Sequence, residues 1–322
     1  MVEANAEALL EQWDLGLLLS SAPLCRLKGI YFMGVLGRER KEVGQSRYRH
    51  STFVACLAIR ILGSLGLDKG VIRQAAAAAL LHDASQWALS HSCEGAFAML
   101  TGYNNGNITH AMIFDGSILP SKYKIGKLLI DLGIDRHRIW NLIGRRSMNS
   151  ESSRDWRLAA ELFSCPIHPD TLEGITRACS IFSTPCPKAE DVADIFELID
   201  DMVSVRYSGI SLLDRFWKAK DAVYRSHIQD KLSIEKELLF SLAVYQKYRG
   251  ISMESALALD DEQVLANIGT HSPQLDHINE SLISRLRFRK PRQYSINTEG
   301  LLRKPYYSAT ELAARYMSLD LT

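Results

Sequence analysis

The chain has 322 residues, with 38 Lys and Arg against 37 Asp and Glu, which gives a formal net charge of +1 at pH 7. Because this balance creates no strong overall field, it argues against a protein that binds nucleic acid or an anionic membrane through its net charge. A hydrophobic fraction of 47% is ordinary for a soluble globular protein, and six scattered cysteines without a Cys-x-x-Cys pair suit reduced, mostly buried thiols.

The N-terminus carries early acidic residues and lacks the basic-then-apolar layout of a signal peptide. The longest apolar run, 75–81, is far shorter than the about 20 residues that cross a bilayer. The sequence therefore predicts a cytoplasmic protein with no membrane partner.

Apolar residues recur at helical spacing over most of the chain, and no segment shows strong β-type alternation. Glycine and proline clusters fall between these stretches, where helices are expected to end. We predict helices at 52–65, 71–81, 121–132, 137–143, 159–163, 171–182, 189–205, 212–227, 234–248, 261–268 and 274–286. The predicted fold class is all-α.

The strongest break in the pattern is Thr-Pro-Cys-Pro at 184–187. We therefore expect an N-terminal helix over 1–21, a core over 22–183, a C-terminal helical region over 184–293 that packs on the core, and a tail over 294–322. The tail mixes Pro, Ser and aromatic residues with weak periodicity, and we interpret it as a tail or a partner-binding arm.

An adjacent His-Asp pair, His82 and Asp83, follows the alanine-rich run. It offers a divalent metal one neutral nitrogen and one anionic oxygen, the mixture that a hydrolytic site needs if the fold adds one or two further ligands. His50 lies where a long amphipathic helix begins, and Asp170 follows Pro169 in the first turn of another. These two residues are candidates for the further ligands.

The order His…His-Asp…Asp resembles the signature of the HD-domain metal-dependent phosphohydrolases, and more narrowly the branch that includes the deoxynucleoside triphosphate triphosphohydrolases. The resemblance covers about residues 22–295 and implies an HD-domain helical core with a C-terminal helical extension. Its motifs are Leu-Cys-Arg-Leu-Lys-Gly-Ile at 24–30, Arg-Tyr-Arg-His-Ser at 47–51, Leu-Leu-His-Asp at 80–83, Ser-His-Ser-Cys-Glu at 90–94, Thr-His at 109–110, Asp-Thr-Leu-Glu-Gly-Ile-Thr-Arg at 170–177, Leu-Asp-Asp-Glu-Gln-Val-Leu at 259–265 and Arg-Phe-Arg-Lys-Pro at 287–291.

The resemblance implies that His50, His82, Asp83 and Asp170 bind one divalent metal ion. Two imidazoles and two carboxylates suit Mn, Fe, Ni, Co or Zn, and Mg is compatible when substrate phosphates complete the coordination. The alternative interpretation of any one of these histidines is a structural role, as a hydrogen-bonded residue of the core.

Three further residues match catalytic positions of the family. His91 would act as general acid and base, oriented by Glu94 three residues later on the same face. A surface pair of polar residues is the alternative. His110 matches a later family histidine only through a short motif, and an ordinary loop histidine explains it equally well.

Arg47 and Arg177 are candidates for substrate phosphate contacts, since guanidinium groups bind phosphate in a bidentate manner. Either could equally brace a carboxylate of the site through a structural salt bridge, which is the interpretation we favour for Arg177.

The chain departs from the triphosphohydrolase pattern in the expected substrate pocket. Phe32 replaces a glutamine that reads the sugar, and Gly174 replaces the aromatic residue that packs under the deoxyribose. Gln86 stands where many relatives have a further histidine, and Trp87 belongs to a segment that also departs from the family. We expect these four residues to line a pocket that is more apolar than one built for a deoxynucleotide.

A run of five basic residues over 285–292, from Arg285 to Arg292, could bind nucleic acid, although a solvated or subunit-contacting face is favoured. Relatives commonly form oligomers through their C-terminal halves, so the resemblance implies a homo-oligomer.

The sequence thus predicts an enzyme, a phosphoester hydrolase acting on a nucleotide, above all a (deoxy)nucleoside triphosphate. The alternatives are a phosphomonoesterase or phosphodiesterase of the same fold acting on another phosphorylated metabolite, and a nucleotide-sensing module with little turnover.

Overall fold

A computed structural model describes the protein over residues 3–37, 46–146, 152–269, 280–286, 292–297 and 305–320. These residues are predominantly helical, with two small sheets, which confirms the predicted all-α class. Across these ranges, no helix has both the length and the apolar character that spanning a membrane requires.

The chain up to the Pro-Cys-Pro segment forms eleven of the described helices, with 3₁₀ turns at 26–29, 34–36, 90–92 and 121–123. The helices are α1 Glu3–Gln12, α2 Gly16–Leu19, α3 Ala22–Cys25, α4 Arg47–Ser64, α5 Lys69–Leu81, α6 Glu94–Thr101, α7 Asn105–Ile113, α8 Gly126–Asp131, α9 Arg136–Ile143, α10 Arg154–Ser164 and α11 Pro169–Ile181.

The chain beyond that segment mixes helices with short strands. Its helices are α12 Ala189–Ala193, α13 Tyr207–Val223, which continues into a π-helical turn Tyr224–Ile228, α14 Lys231–Lys247, α15 Met253–Ala258, α16 Asp261–Ile268, α17 Glu280–Leu286 and α18 Ala309–Arg315. Its strands are β1 Phe196–Ile199, β2 Met202–Arg206, β3 Arg292–Ile296, β4 Tyr306–Ser308 and β5 Tyr316–Asp320.

Helices α4 and α5 pack against each other at the centre of the core, and α11 packs against α4. The Ser46 hydroxyl caps α4 by accepting from the Arg49 amide, and the Asp68 carboxylate caps α5 by accepting from the Gly70 amide at 2.8 Å. The alanines of 75–79 are almost fully buried, since their small side chains allow α5 to approach its neighbours closely. This packing brings the start of α4, the end of α5 and the start of α11 together.

The helix predicted over 189–205 is wrong beyond α12. The chain instead forms the antiparallel hairpin β1–β2, whose turn residues Asp200 and Asp201 have φ angles of 50° and 63°. Left-handed residues at both turn positions match the twist of a two-residue hairpin. The β-branched residues Val203 and Val205 are fully buried in β2, which favours a strand further.

The described part of the predicted tail folds back onto the region before it. Strand β4 pairs with β2, β3 pairs with β5, and β3 packs against α13. The Trp217 indole of α13 donates to the Ser295 carbonyl of β3 at 3.0 Å. The predicted helix at 274–286 is described over Glu280–Leu286 only, and Arg287, Arg289 and Lys290 of the basic run lie outside the described residues.

Candidate metal centre

His50 lies in the first turn and a half of α4, where its side chain is 1% exposed. Its Nδ1 atom hydrogen-bonds the Glu173 carboxylate, which projects from α11 one turn after Asp170. This contact fixes the ring orientation and leaves Nε2 as the nitrogen available for a ligand. Glu173 falls inside a matched motif, yet the sequence did not identify it as the partner of His50.

His82 is the C-cap residue of α5, directly after Leu81, and Asp83 follows it in the turn. The Nδ1 atom of His82 donates to the Ala79 carbonyl at 2.7 Å, so this ring also presents Nε2. The Asp83 carboxylate accepts from the Arg47 guanidinium at 2.6 Å. The C-terminal end of α5 therefore supplies an imidazole nitrogen and a carboxylate oxygen from two adjacent residues.

The four predicted metal ligands converge. The two Nε2 atoms of His50 and His82 lie 3.3 Å apart. Asp83 Oδ2 is 3.7 Å from the first and 3.5 Å from the second. Asp170 Oδ1 is 3.3 Å from the first and 3.6 Å from the second. We call these four residues the candidate metal centre.

The donor set fits a divalent cation. Since both Nδ1 atoms are engaged elsewhere, two Nε2 lone pairs and two carboxylate oxygens point at one small volume. Ligand atoms of His50, His82 and Asp83 all lie within 4.8 Å of one another. Lone pairs and anionic oxygens at such distances repel one another unless positive charge lies between them, so the arrangement suits a metal with nitrogen and oxygen ligands.

The electrostatics of the centre agree with this. Burial disfavours the charged form of His82, but Asp83 and Asp170 outweigh it and raise the pKa of this imidazole to about 9. Burial likewise disfavours ionised Asp170, yet His82 and His50 hold the pKa of its carboxyl well below the ordinary value. The negative charge is thus balanced by a proton on the His82 imidazole or by a cation, and cation binding should release that proton.

Both predicted phosphate contacts are engaged with carboxylates in the structure. Arg47 binds Asp83 and also donates to the Ser90 hydroxyl at 3.0 Å. Arg177 binds Glu173 within α11, and both side chains of that pair are buried. The guanidinium carbons lie 4.7 Å and 5.8 Å from the centre of the Phe32 ring. This geometry favours bracing of the site carboxylates, although Arg47 still reaches the adjacent cavity.

His91 and Glu94 form the predicted pair, with 2.8 Å between His91 Nδ1 and Glu94 Oε2. The other carboxylate oxygen of Glu94 accepts from the Asn105 amide at 2.7 Å, which also donates to the Gln86 side chain at 3.1 Å. Leu89 adopts a left-handed φ of 60°, which turns the chain sharply ahead of His91. Asn105 therefore positions the Glu94 carboxylate, which in turn positions the His91 imidazole. The sequence did not identify Asn105 as a site residue.

His110 lies apart from this pair. It is exposed on α7, not in a loop, and its ring stacks on Phe114 at 4.6 Å and meets Trp140 edge-on at 5.2 Å. It is not among the residues that line the cavity beside the centre.

A cavity of about 240 Å³ adjoins the candidate metal centre through Asp170. Of the residues expected in the pocket, Phe32 and Gly174 contribute to its lining, and so does His91. Trp87 and Gln86 do not. Trp87 is fully buried and stacks on Phe97, while Gln86 is 2% exposed, so both belong to the core beneath the site.

Gly174 lies beside Phe32. A Cβ atom at position 174 would lie 3.4 Å from Phe32 Cζ and 3.7 Å from His50 Cε1, which are ordinary van der Waals contact distances. The Phe32 ring centre is 4.6 Å from that of His50. Phe32 therefore supplies the apolar surface next to the centre.

No protein-family model matches the chain, and no curated protein matches it in sequence. Among solved structures, it is similar to a phosphohydrolase from Bacteroides thetaiotaomicron, with a TM-score of 0.63 and 14% identity, covering 92% of this chain and 89% of that one. It is also similar to a hypothetical protein from Aquifex aeolicus, with a TM-score of 0.60 and 17% identity, covering 88% and 73%. At these identities the likeness shows a shared fold.

Proposed function

We propose that the protein is a metal-dependent phosphohydrolase that acts on a nucleotide, in particular a (deoxy)nucleoside triphosphate. The observation that carries the proposal is the convergence of His50, His82, Asp83 and Asp170 on one small volume. Their order resembles the HD-domain signature, and the similar fold of a phosphohydrolase supports the same chemistry.

These four residues would hold one divalent ion, whose identity among Mn, Fe, Ni, Co, Zn and Mg is open to the test below. When bound, such an ion withdraws electron density from a phosphate oxygen and makes water more acidic. The protein's own contribution is to fix the ligands. Glu173 and the Ala79 carbonyl orient the two imidazoles, and Arg47 holds Asp83.

His91 is positioned to transfer a proton to or from a bound substrate or water molecule. The Glu94 carboxylate holds its Nδ1 atom and favours the tautomer that presents Nε2 for proton exchange with substrate or water. The side chain is 31% exposed and lines the cavity, so it can reach a bound molecule. We assign His91 the role of general acid and base and Glu94 that of its positioning partner.

A second candidate function is hydrolysis of a phosphoester on a different phosphorylated metabolite. Phe32 and Gly174 favour it, because the surface beside the centre consists here of an apolar ring and a residue without a side chain. The metal chemistry would be unchanged, and the substrate pocket would differ.

The test measures metal content together with phosphate and triphosphate release from deoxy- and ribonucleotides, with Mn²⁺, Mg²⁺ or Co²⁺. We expect wild-type protein to release one of these products and Asp83→Ala to lose both bound metal and turnover. Asp131→Ala, which changes an exposed carboxylate on α8, should behave as wild type. Turnover that survives in Asp83→Ala contradicts the proposal, and metal binding without turnover on any nucleotide favours the second candidate or a sensor.

A further inference from the structure

Two of the six cysteines meet at the C-terminal end of α11. Cys179 lies in the last turn of the helix and is 1% exposed, and Cys186 lies in the Thr-Pro-Cys-Pro segment and is partly exposed. Their side chains share a hydrogen bond, which the Cys179 thiol donates to the Cys186 sulfur. Neither residue belongs to the candidate metal centre or lines the cavity beside it, so the proposed function leaves this contact unexplained.

The backbone at the end of α11 creates the contact. The Thr184 amide donates to the Cys179 carbonyl at 2.8 Å. The Ser183 amide donates to the Ser180 carbonyl at 3.3 Å, and the two bonds together form a Schellman motif. Ser183 adopts the left-handed φ of 55° that this motif requires. The chain therefore reverses its direction and returns beside the last turn of the helix.

Two prolines restrict the returning segment around Cys186. Pro185 and Pro187 flank this residue, and each proline fixes its own φ angle and limits the conformation of the residue before it. Because the backbone on both sides is stiff, little further conformational entropy is lost when the Cys186 sulfur stays beside that of Cys179. The segment that breaks the helical pattern of the sequence thus also presents a thiol to the end of α11.

The two thiols differ in reactivity. The hydrogen bond from Cys179 lowers the pKa of Cys186, although burial opposes this shift. The same bond, together with burial, raises the pKa of the Cys179 thiol. Since the thiolate is the nucleophile in thiol–disulfide exchange, Cys186, which is also the more accessible of the two, is the sulfur that reacts first. An accessible thiol of low pKa beside a second thiol is the arrangement found in redox pairs.

The other four cysteines all lie within the described residues and show no such pairing. Cys25 and Cys56 donate to backbone carbonyls at 3.6 and 3.7 Å. Burial raises the pKa of the Cys93 and Cys165 thiols, which keeps them protonated and unreactive. Cys25 is exposed and can therefore serve as a control, a thiol that reagents reach but that has no second thiol in contact.

We propose that Cys179 and Cys186 are a redox pair, which a small disulfide such as oxidised glutathione converts to an intramolecular disulfide. Cys186 Sγ attacks one sulfur of the small disulfide, bonds to it and releases the other half as a thiolate. Cys179 Sγ then attacks Cys186 Sγ and releases the second half. The two protein thiols are oxidised, the small disulfide is reduced to two thiols, and these take up the two protons.

The new bond would join the last turn of α11 to the segment that leads into α12. It would therefore tie the two parts of the chain that the break at 184–187 separates, and a thiol reductant would release them. The alternative is that the two side chains only fill space at the end of the helix. A packing pair of this kind would stay reduced, or would oxidise no more readily in the folded protein than in the unfolded chain.

The test incubates the reduced full chain with oxidised glutathione, alkylates the remaining thiols and digests the protein with trypsin. Cleavage after Arg177 and Lys188 yields one peptide, 178–188, that contains both cysteines. We expect this peptide to lose two hydrogens and to take up no alkylating reagent, whereas the Cys25 peptide should carry either the reagent or glutathione. We expect the equilibrium constant for forming the disulfide to be at least about tenfold larger in the folded protein than in urea, because folding has already brought the sulfurs together.

Three variants separate the steps. Cys179→Ser should stop at a glutathione adduct on Cys186, and Cys186→Ser should leave the buried Cys179 unmodified. Cys25→Ser, the matched control, should form the disulfide as wild type does. A lasting adduct on Cys186 in wild type, two thiols that stay free, or equal equilibrium constants in folded and unfolded protein overturns the proposal. The wild-type peptide decides the matter if a serine variant does not fold, and no result depends on phosphohydrolase activity.

Discussion

At the scale of single residues, the candidate metal centre depends on groups that orient its ligands. Each imidazole has a different Nδ1 partner, Glu173 for His50 and a backbone carbonyl for His82. The backbone carbonyl cannot be removed by substitution, but the Glu173 carboxylate can. That carboxylate is buried, and although burial disfavours its charge, Arg177 and His50 hold its pKa below the ordinary value. Glu173 therefore stays ionised and keeps the His50 ring in place.

We expect Glu173→Gln to weaken divalent-metal affinity by about 10- to 100-fold, because outer hydrogen-bond partners set the orientation and basicity of a metal-ligating imidazole. Competition with a metal-sensitive dye measures the affinity directly. Glu235→Gln, at an exposed position of α14, is the control. An affinity equal to that of wild type would mean that His50 is oriented by other contacts or is not a ligand.

The candidate ligands were predicted from the ordered motifs that carry the family resemblance. Within those motifs His82 and Asp83 are adjacent, and His50 and Asp170 each lie near the start of a helix. Glu173 lay within a matched motif but had no signal of its own, since a carboxylate one helical turn from an arginine is also what an ordinary surface pair looks like. Asn105 depends on contacts between distant segments, which only the fold reveals.

At the scale of elements, helix α16 holds together two loops of the site. The Asp261 carboxylate accepts from the backbone amide of Tyr31, which precedes Phe32, and from that of Leu89 in the turn before His91. Asp261 is fully buried in the first turn of α16, and its neighbour Asp260 caps that helix. One carboxylate thus sets the relative position of the segments that carry Phe32 and His91.

Burial raises the pKa of Asp261 from 3.8 to about 7, although both amide donors and Arg47 favour the charged form. Since the folded pKa exceeds the unfolded one, the folded state takes up a proton between these values. The stability contributed by this group is full below pH about 4 and is lost as the pH rises through about 7. We expect the free energy of unfolding of Asp261→Asn to decrease less than that of wild type between pH 5 and pH 7.5. Urea denaturation in the presence of a chelator measures this free energy at both pH values.

The variant should also be less stable at both pH values, because an amide nitrogen cannot accept the second backbone hydrogen bond. The nearby carboxyl Asp260 and the titrating groups of the metal centre are common to both proteins, so the difference between the two proteins isolates Asp261. Parallel stability curves for wild type and variant would refute the assignment of a raised pKa.

The helical elements were predictable where their apolar spacing was long and unambiguous, as in α4, α5 and α11. The hairpin β1–β2 was not. Its first strand, Phe-Glu-Leu-Ile, is too short to show a clear period, and the helix before it reads continuously into it. The decisive feature is the Asp200-Asp201 turn, in which both residues adopt left-handed backbone angles. The spacing of apolar residues along the sequence does not reveal such a turn.

At the scale of the whole molecule, the described C-terminal segment packs on α13, the helix that carries Lys220 of the cavity wall. The Asp214 carboxylate of α13 accepts from Arg315 at 3.0 and 2.6 Å and from the Tyr316 hydroxyl at 2.9 Å. Strand β4 attaches to β2, and β3 lies on α13. The segment expected to be a tail or a partner-binding arm is therefore, over its described residues, part of the body.

We expect Asp214→Ala to lower the free energy of unfolding by about 2 kcal/mol, since it leaves a largely buried guanidinium without this partner. The loss should be local, so amide hydrogen exchange should accelerate in α18 and β5 while metal affinity stays unchanged. Asp221→Ala, which removes the pair with the exposed Arg225 on the same helix, should have a much smaller effect. Uniform acceleration across the core would contradict the local role of Asp214.

The cavity draws its walls from chain segments that are far apart in order of synthesis. Its candidate metal ligands are all present once residue 170 has been made, whereas Arg292 and Tyr294 arrive more than a hundred residues later. Because a growing chain folds from its N-terminal side, the ligand cluster can assemble while the cavity is still open on the side of β3. The candidate metal ligands can then come together before β3 adds its side of the cavity, so the complete cavity would be the last part of the site that the nascent chain forms.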